Sequence, residues 1–387
     1  MRLFVHATNL VKGGALQVAR SLLIEWSRSK DVHSLTIAAS PQLASVLPSE
    51  IKTIVLSPKC TQPIAGLKTR KRLNELLKLS RADLAFTVFG PSPWTSTSVP
   101  HVTGFANPWL CQDISYALKK LSTVKRAAIL PKIYYQKKIT KLSPINHYIA
   151  ETNFMARGIT KLKPNATVYT VSNTISQTFI ELNAAPIRIA SLRRPCKQLD
   201  DFWVVTLSAY YPHKDLEIIP HVCRELKRHP SKANYKFFLS LDPSGSHWKK
   251  IHRIAENYGV SDMVYTVGEI PPQDAFQFYQ GADLMFLPTL LESFSASYLE
   301  AMACRVPILT TKLPFAIDIC KDAALYFEPL NAQDAARKIL DLSLNQPLRA
   351  KLISLGETRL KTFPSPYQRA ESYLEIFDYV INEYRTY

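Results

Sequence analysis

Glycine is scarce in this sequence, and several common nucleotide- and metal-binding patterns are missing from it. There are 11 glycines among 387 residues, whereas average usage is about 7%. Neither G-x-G-x-x-G nor a Walker motif occurs, so a nicotinamide-type or P-loop site is not indicated. The metal-binding pair D-x-D is also absent. A glycine that does fall inside a motif is therefore more informative than usual.

The six cysteines are scattered without a C-x-x-C pair, a pattern that indicates neither a zinc site nor a disulfide framework. No stretch approaches 18 uncharged apolar residues, so no membrane span is predicted. The apolar segment at the start is too short for the core of a signal peptide. We therefore expect a soluble or peripheral protein with free thiols in a reducing cytosol.

The order of apolar segments predicts the fold class. Short apolar runs alternate with amphipathic stretches, which is typical of βαβ units around a parallel sheet. This series occurs twice, on either side of Ala185–Asp201, a linker with two prolines and three arginines. We predict α/β architecture with two Rossmann-like, doubly wound domains facing each other across a cleft. Residues 1–190 would form the N-terminal domain, 200–365 the C-terminal domain, and 366–387 a helix that returns to the N-terminal domain.

The net charge of +17 is concentrated in the first half of the chain. Residues 1–195 contain 27 Lys and Arg against 8 Asp and Glu, a net charge of +19, whereas residues 196–387 contain 21 against 23, a net charge of −2. Such asymmetry suggests that one domain faces an anionic partner, such as nucleic acid, an anionic membrane or a phosphorylated substrate.

Two motifs are candidates for ligand contact. Gly13 and Gly14 stand between the first predicted strand and the first helix, where a ligand could approach the backbone and a helix N-terminus could bind phosphate. A purely structural turn is the alternative. Glu292 and Glu300 follow the predicted strand Leu284–Leu287. Two carboxylates beside the amides of a helix start suit sugar hydroxyls and phosphate, although two solvated glutamates would give the same pattern.

At this point the sequence resembles the family-4 glycosyltransferases, retaining enzymes of the GT-B fold. Their E-x7-E motif is matched by Glu292 and Glu300 within LPTLLESFSASYLEAMACRVPIL. The upstream run VGEIPPQDAFQFYQGADLMFLPT and the run LSAYYPHKDLEIIPHVCRELKR fit the family as well, the latter with Lys214 at the position of the phosphate-binding lysine. The likeness covers residues 200–345, and Gly13-Gly14 match the family's first-loop glycines.

The resemblance implies a role for each matched residue. Glu292 would contact the donor sugar and Glu300 the ribose hydroxyls of the nucleotide. The backbone amides of Phe294 and Ser295 would bind sugar or phosphate. Lys214 would neutralise charge on the leaving diphosphate, assisted by the N-terminus of the predicted first helix at Gly14. Family members need no metal or other cofactor for this, because the nucleotide sugar is a co-substrate.

Three departures from the family pattern concern the site. Ser208 occupies the position of a usual arginine, and Arg305 replaces a usual glycine. Arg305 could supply the missing cation, or it could be an ordinary surface residue. Phe105 stands where the family has a catalytic-region histidine. His101, four residues earlier, could contact substrate or could simply be packed inside a strand.

Two basic segments predict binding to an anionic membrane. Leu67–Leu79 reads as a basic amphipathic helix, and Ile114–Ala150 combines eight lysines and arginines with aromatic and aliphatic residues. Nucleic acid is disfavoured because RNA-reading aromatic signatures and zinc fingers are absent.

The resulting hypothesis is a retaining, metal-independent glycosyltransferase at the cytoplasmic face of the inner membrane. It would move a sugar from a nucleotide donor to a lipid-linked or glycan acceptor in envelope polysaccharide or lipopolysaccharide synthesis. A sugar-nucleotide epimerase, a phosphorylase of the same fold and a catalytically weakened nucleotide-sugar-binding scaffold are the alternatives.

Overall fold

The described residues of the computed structural model group into two compact units. The model describes residues 1–11, 13–58, 62, 64–96, 98–175, 179, 197–229, 233–271 and 274–386. The first unit contains Met1–Asp113, Val124–Thr174 and Pro364–Tyr387, and the second contains Ile114–Thr123 and Ile175–Phe363. Most of the predicted linker, residues 185–196, lies outside the described residues.

Strands and helices alternate along both units. The strands of the described residues are β1 (Arg2–Ala7), β2 (Ser34–Ala39), β3 (Ile54–Val55), β4 (Leu84–Gly90), β5 (His101–Phe105), β6 (His147–Ala150), β7 (Thr167–Thr170), β8 (Asp201–Thr206), β9 (Asn234–Leu239), β10 (Val264–Thr266), β11 (Leu284–Leu287), β12 (Ile308–Thr311) and β13 (Ala324–Phe327). The α-helices are α1 (Gly14–Arg28), α2 (Pro41–Ala44), α3 (Leu67–Ser80), α4 (Pro108–Cys111), α5 (Ser115–Lys119), α6 (Thr123–Leu142), α7 (Asn153–Leu162), α8 (Ile218–Lys227), α9 (Ser246–Asn257), α10 (Ala275–Tyr279), α11 (Ala296–Ala303), α12 (Pro314–Cys320), α13 (Ala332–Leu344), α14 (Gln346–Leu360) and α15 (Pro366–Thr386). No helix in this part of the chain is both long enough and apolar enough to span a membrane.

The first unit is built on a parallel sheet with the strand order β3-β2-β1-β4-β5-β6-β7. Its central strands are continuous apolar runs, as expected for parallel strands that are covered on both faces. The order reverses between β1 and β4, because the chain first adds strands on one side of β1 and then on the other. In sheets of this kind, ligands bind outside the carboxyl ends of the strands at the reversal.

The second unit repeats this plan with the parallel order β10-β9-β8-β11-β12-β13. Here the reversal falls between β8 and β11. Both units are therefore doubly wound α/β structures, and the predicted fold class is confirmed.

The C-terminal helix α15 belongs to the first unit, as predicted, and closes its core. It packs against α1 and the sheet. Trp26 of α1 and Phe86 of β4 meet Tyr373 and Phe377 of α15, with ring centroids 5.0–5.9 Å apart. The indole N–H of Trp26 donates to the carbonyl of Ala370 at 3.2 Å. This aromatic cluster covers the sheet with residues from opposite ends of the chain.

One short segment groups differently from the predicted boundaries. Residues 114–123 precede residue 190 yet belong to the second unit. The reason is local contact: α5 packs against the 3-10 turn Pro212–Lys214, and Lys120 Nζ lies 2.6 Å from Asp215 Oδ1.

Removing the Phe377 ring tests the closing role of α15. Phe377 is fully buried, so Phe377→Ala should lower the free energy of unfolding by about 3–5 kcal/mol. Tyr367→Ala, on the exposed side of the same helix, should change it by less than about 0.5 kcal/mol. Denaturant unfolding followed by near-ultraviolet circular dichroism measures both. Equal effects would contradict the packing described for α15.

Candidate active site

Lys214 and Glu292, predicted from separate motifs, meet at the strand reversal of the second unit. Lys214 ends the turn Pro212–Lys214, which follows β8, and Glu292 lies in the loop that follows β11. Lys214 Nζ donates to Glu292 Oε1 in an ion pair. The two side chains are only 14% and 15% exposed. The pair thus stands at the carboxyl ends of β8 and β11, where this type of sheet binds ligands.

Backbone hydrogen bonds fix the two loops that carry this pair. The Leu290 N–H donates to the carbonyl of His213 at 2.7 Å, so residues next to Lys214 and near Glu292 are directly linked. Thr311 Oγ1 donates to the carbonyl of Thr289 at 2.6 Å and holds the second loop from β12. Because one main-chain bond and one bond from a side-chain hydroxyl fix these loops, the ion pair has a defined position.

Burial dominates the electrostatics of the turn. It lowers the pKa of Lys214 to about 8, since the ammonium loses part of its hydration. Burial also lowers the pKa of His213 to about 4, and the positive charge of Lys214 adds to this effect. At neutral pH the turn therefore presents one cation, Lys214, beside a neutral imidazole.

The start of α11 lies in the same loop region. Ser295 is the N-cap residue, with extended backbone (φ −114°, ψ 112°), and its side chain makes no capping hydrogen bond. Ser297 Oγ instead donates to the carbonyl of Leu207 at 3.3 Å and ties the helix to the end of β8. In the described part of the chain, the backbone N–H groups of Phe294 and Ser295 have no acceptor. They are available, together with the positive end of the helix dipole, for an anionic ligand.

Glu300 projects from α11 about one turn beyond its first residue. The phenol of Tyr279 donates to Glu300 Oε2 at 3.3 Å and to the carbonyl of Ser297 at 3.4 Å. Burial raises the pKa of Glu300 to about 7, against the opposing effect of the Tyr279 hydrogen bond. Near neutral pH this carboxyl group therefore exchanges readily between its charged and neutral forms.

The structure does not bring Arg305 to this group of residues. Arg305 lies two residues beyond the C-terminal end of α11, a helix that is about 12 Å long. Its guanidinium pairs with Glu357 at 3.1 Å, and its side chain is 70% exposed. Its φ of 57° lies in the left-handed region that glycine adopts most easily, which explains why the resembling family commonly has glycine at this position.

Ser208 supplies no cation in place of the usual arginine. Its N–H donates to Ser240 Oγ at 3.0 Å, and its own hydroxyl donates to the carbonyl of Ala209 at 3.0 Å. Both contacts hold the loop after β8.

In the first unit, Gly13 and Gly14 lie at the corresponding reversal, where Gly13 is the N-cap residue of α1 and Gly14 is its first residue. Gly13 has a φ of 74°, which requires glycine, and a Cβ on either residue would meet open space. Asn9 Nδ2 donates to the carbonyl of Phe89 at 2.6 Å and links this loop to the end of β4. The geometry fits close approach of a ligand to the backbone.

His101 lies at the opposite, amino end of the strands of that sheet, as the first residue of β5. Its Nδ1 accepts from the N–H of Ser96 at 3.0 Å, and its Nε2 is 2.9 Å from Thr87 Oγ1. Burial lowers its pKa to about 3, with His6 contributing. His101 is thus a neutral, internally hydrogen-bonded residue that the structure does not place with the glycine loop. Phe105 ends the same strand and is fully buried.

Sequence reasoning missed Asp215 and Lys120. Asp215 directly follows Lys214, and its carboxylate is 1% exposed and paired with Lys120. Adjacency to Lys214 was the available signal for Asp215. Nothing in the sequence indicates its partner.

Comparisons with known proteins agree with this geometry. Residues 191–359 match the model of the family described as glycosyl transferases group 1, which confirms the resemblance at that level. The serotype-specific mannosyltransferase WbdA of Escherichia coli is 24% identical over 248 residues, 61% of this chain and 29% of that protein. The chain therefore spans less than a third of the length of this curated relative.

Two solved structures share the fold over nearly the whole chain. WaaG, a glycosyltransferase involved in lipopolysaccharide biosynthesis, has a TM-score of 0.70 and 13% identity over 97% of this chain and 99% of its own. HepE of Anabaena, in complex with UDP and glucose, has a TM-score of 0.66 and 16% identity over 98% and 100%. At such identities the likeness shows the fold alone, which is that of GT-B glycosyltransferases.

The raised pKa of Glu300 predicts a pH dependence of stability. Because its folded-state pKa of about 7 exceeds the ordinary value of 4.5, the stabilisation of the folded protein by this group is complete below pH 4.5 and is lost as pH rises through 7. Relative to Glu300→Gln, the wild-type free energy of unfolding should fall by roughly 3 kcal/mol between pH 4.5 and pH 8. Denaturant titrations at each pH measure this difference, and parallel curves for the two proteins would refute it.

Proposed function

We propose, from the match of residues 191–359 to the group 1 glycosyl transferases, that the protein transfers a sugar from a nucleoside diphosphate sugar with retention of anomeric configuration. The observation that carries this proposal is the Lys214–Glu292 ion pair at the strand reversal, beside the start of α11. A cation, free amides and a carboxylate within one short region match the two reacting parts of such a donor: its diphosphate, which is the leaving group, and its sugar.

Lys214 and the amides of Phe294 and Ser295 would bind the diphosphate. Negative charge grows on this group as the glycosidic bond breaks, and fixed donors aimed at developing charge stabilise such a transition state. In this proposal the lysine and the helix start supply the positive charge, so the reaction needs neither a metal nor another cofactor. Because Lys214 is paired with Glu292, the diphosphate would replace the Glu292 carboxylate as the partner of the lysine when the donor binds.

Glu292 would then be released to accept hydrogen bonds from the hydroxyls of the donor sugar. Glu300, further along α11, would accept hydrogen bonds from the ribose hydroxyls in its charged form. Gly13 and Gly14 would allow close approach of the donor to the first unit's backbone.

The acceptor is proposed to be a lipid-linked or membrane glycan in envelope polysaccharide or lipopolysaccharide synthesis. Two similarities support this setting: the relative named as a serotype-specific mannosyltransferase and the structural neighbour involved in lipopolysaccharide biosynthesis. The charge of +19 in residues 1–195 supports an anionic acceptor surface.

The α6 helix is the proposed contact with an anionic membrane at the cytoplasmic face. Of the residues of this helix, only Ile133 and Thr140 are buried. Its exposed apolar residues include Val124, Leu130 and Tyr134, which are 79%, 46% and 72% exposed. Its exposed cations include the following residues: Lys125, Arg126, Lys132, Lys138 and Lys141. Apolar side chains among cations suit the headgroup region of an anionic bilayer.

The other predicted membrane segment contributes differently from expectation. In α3 the apolar residues Leu73, Leu76 and Leu77 pack in the core of the first unit, whereas Leu79 is 75% exposed. Its apolar face is therefore largely occupied, and the basic face remains for an anionic surface. Lys120, counted with the basic segment Ile114–Ala150, is paired with Asp215.

Substitutions of the central ion pair test the catalytic proposal. A panel of UDP-, GDP- and dTDP-sugars should contain a donor that raises the wild-type melting temperature and is slowly hydrolysed to free sugar. Lys214→Met and Glu292→Gln should each lower kcat/KM for that hydrolysis at least 100-fold, because each removes a group that contacts the donor. A loss of 100-fold corresponds to about 2.7 kcal/mol of transition-state stabilisation.

A second ion pair in the same sheet provides the matched control. Lys197 pairs with Asp283 at 2.6 Å, with 32% and 27% exposure, beside the amino ends of β8 and β11. Lys197→Met should leave kcat/KM within about threefold of wild type. Binding of a nucleotide sugar without any turnover would favour the scaffold alternative, and equal losses in Lys197→Met and Lys214→Met would contradict the site assignment.

Vesicle flotation tests the membrane proposal. The protein should float with phosphatidylglycerol vesicles at low salt and not with phosphatidylcholine vesicles. The triple variant Lys132→Gln, Lys138→Gln and Lys141→Gln should bind roughly 100-fold more weakly, at about 1 kcal/mol for each cation near the surface. A triple control has exposed lysines of the second unit replaced by glutamine: Lys249, Lys351 and Lys361. Equal binding to both kinds of vesicle, or equal losses in both triple variants, would contradict the proposal.

A further inference from the structure

Asp215 shapes the turn that ends on Lys214. Its backbone is left-handed (φ 53°, ψ 36°), a conformation that Asp tolerates better than most residues. Its N–H donates to the carbonyl of Pro212 at 3.3 Å, and its carbonyl accepts from the N–H of Ile218 at 3.0 Å. The residue therefore ends the 3-10 turn on one side and begins the approach to α8 on the other.

The side chain of Asp215 is buried against a lysine from a distant part of the chain. Only 1% of the carboxylate is exposed, and Oδ1 lies 2.6 Å from Lys120 Nζ. Lys120 is the C-cap residue of α5, which packs against the turn Pro212–Lys214. A carboxylate removed from water in this way is costly unless a cation accompanies it.

We propose that Lys120 and Asp215 are positioning residues for the Lys214–Glu292 site: Lys120 keeps the buried Asp215 carboxylate ionised, and Asp215 holds the turn that presents Lys214. This inference rests on the proposed function, since it assigns the pair a role in the same reaction. Lys120 and Asp215 do not contact the donor and act through the geometry of the turn.

The charges around Asp215 define its response to pH. Burial raises the pKa of Asp215 to about 6, Lys120 opposes this shift, and nearby Glu217 reinforces it. The carboxylate of Glu217 is itself held by the Tyr210 hydroxyl at 2.5 Å and by Lys250 at 2.9 Å. Burial lowers the pKa of His221, on α8, and the positive charges of Arg224 and Lys120 add to this shift. Loss of Lys120 would therefore raise the pKa of Asp215 further and leave an unpaired buried charge above that pKa.

The experiment compares four variants of the full chain in the donor-hydrolysis assay: Lys120→Met, Lys120→Arg, Asp215→Asn and the double variant Lys120→Met/Asp215→Asn. At pH 8, Lys120→Met should lower kcat at least tenfold and change KM less than threefold. Lys120→Arg should retain at least a third of wild-type kcat. The double variant should return to within threefold of Asp215→Asn, because asparagine keeps the left-handed turn without a charge. Lys351→Met, at an exposed lysine of α14, is the control.

Thermal unfolding supplies a readout that simple loss of packing would not move. The melting temperature of Lys120→Met should fall below wild type at pH 8, and the gap should close at pH 5, where Asp215 is protonated in both proteins. In the Asp215→Asn background the gap should be absent at both pH values. A gap that is the same at pH 5 and pH 8 would overturn the inference.

The two proposals fail in different ways. A wild-type protein that hydrolyses none of the donors refutes the proposed function and, with it, any positioning role. Wild-type turnover together with a Lys120→Met kcat within twofold of the Lys351→Met control overturns the positioning role alone. So does a double variant as slow as Lys120→Met.

Discussion

The Lys214–Glu292 ion pair joins two loops at the point where the order of the strands reverses in the second unit. In sheets of this type a crevice forms outside the carboxyl ends of the strands at the reversal, and the loops after β8 and β11 lie at that point. Charged side chains placed there are shielded from bulk water without being sealed in the core. Their mutual attraction acts together with the main-chain bond from Leu290 to His213, which links the same two loops.

The pair also gives each of two largely buried charges a partner of opposite sign. An unpaired lysine with this degree of burial would be driven towards its neutral form, and an unpaired carboxylate likewise. In the proposed reaction the diphosphate of the donor would replace Glu292 as the anion beside Lys214, so the buried ammonium would keep a negative partner when the donor binds.

Sequence patterns were informative where chemistry depends on local spacing. Glu292 is predicted because it follows the clear apolar run Leu284–Leu287, and Lys214 because the run LSAYYPHKDLEIIPHVCRELKR resembles the family-4 glycosyltransferases. His101 gave a similar signal, a polar residue in an apolar strand, but its position at the amino end of β5 follows from the register of the sheet, which the sequence does not show. Lys120 and Asp215 form a contact between distant segments, and neither has a local pattern that would indicate its partner. In α3 the periodicity showed an apolar face but not that the sheet covers it.

The path of the chain between the two units limits how the protein can be divided. The segment Ile114–Thr123 leaves the first unit early and belongs to the second, and α15 returns from the far end to complete the first. A fragment that stops near residue 190 would lack the helix that covers Trp26, and one that begins near residue 197 would lack Lys120. Recombination between relatives at a single crossover point would therefore separate residues of the same unit, and the exchange of one whole unit would require four compatible breakpoints.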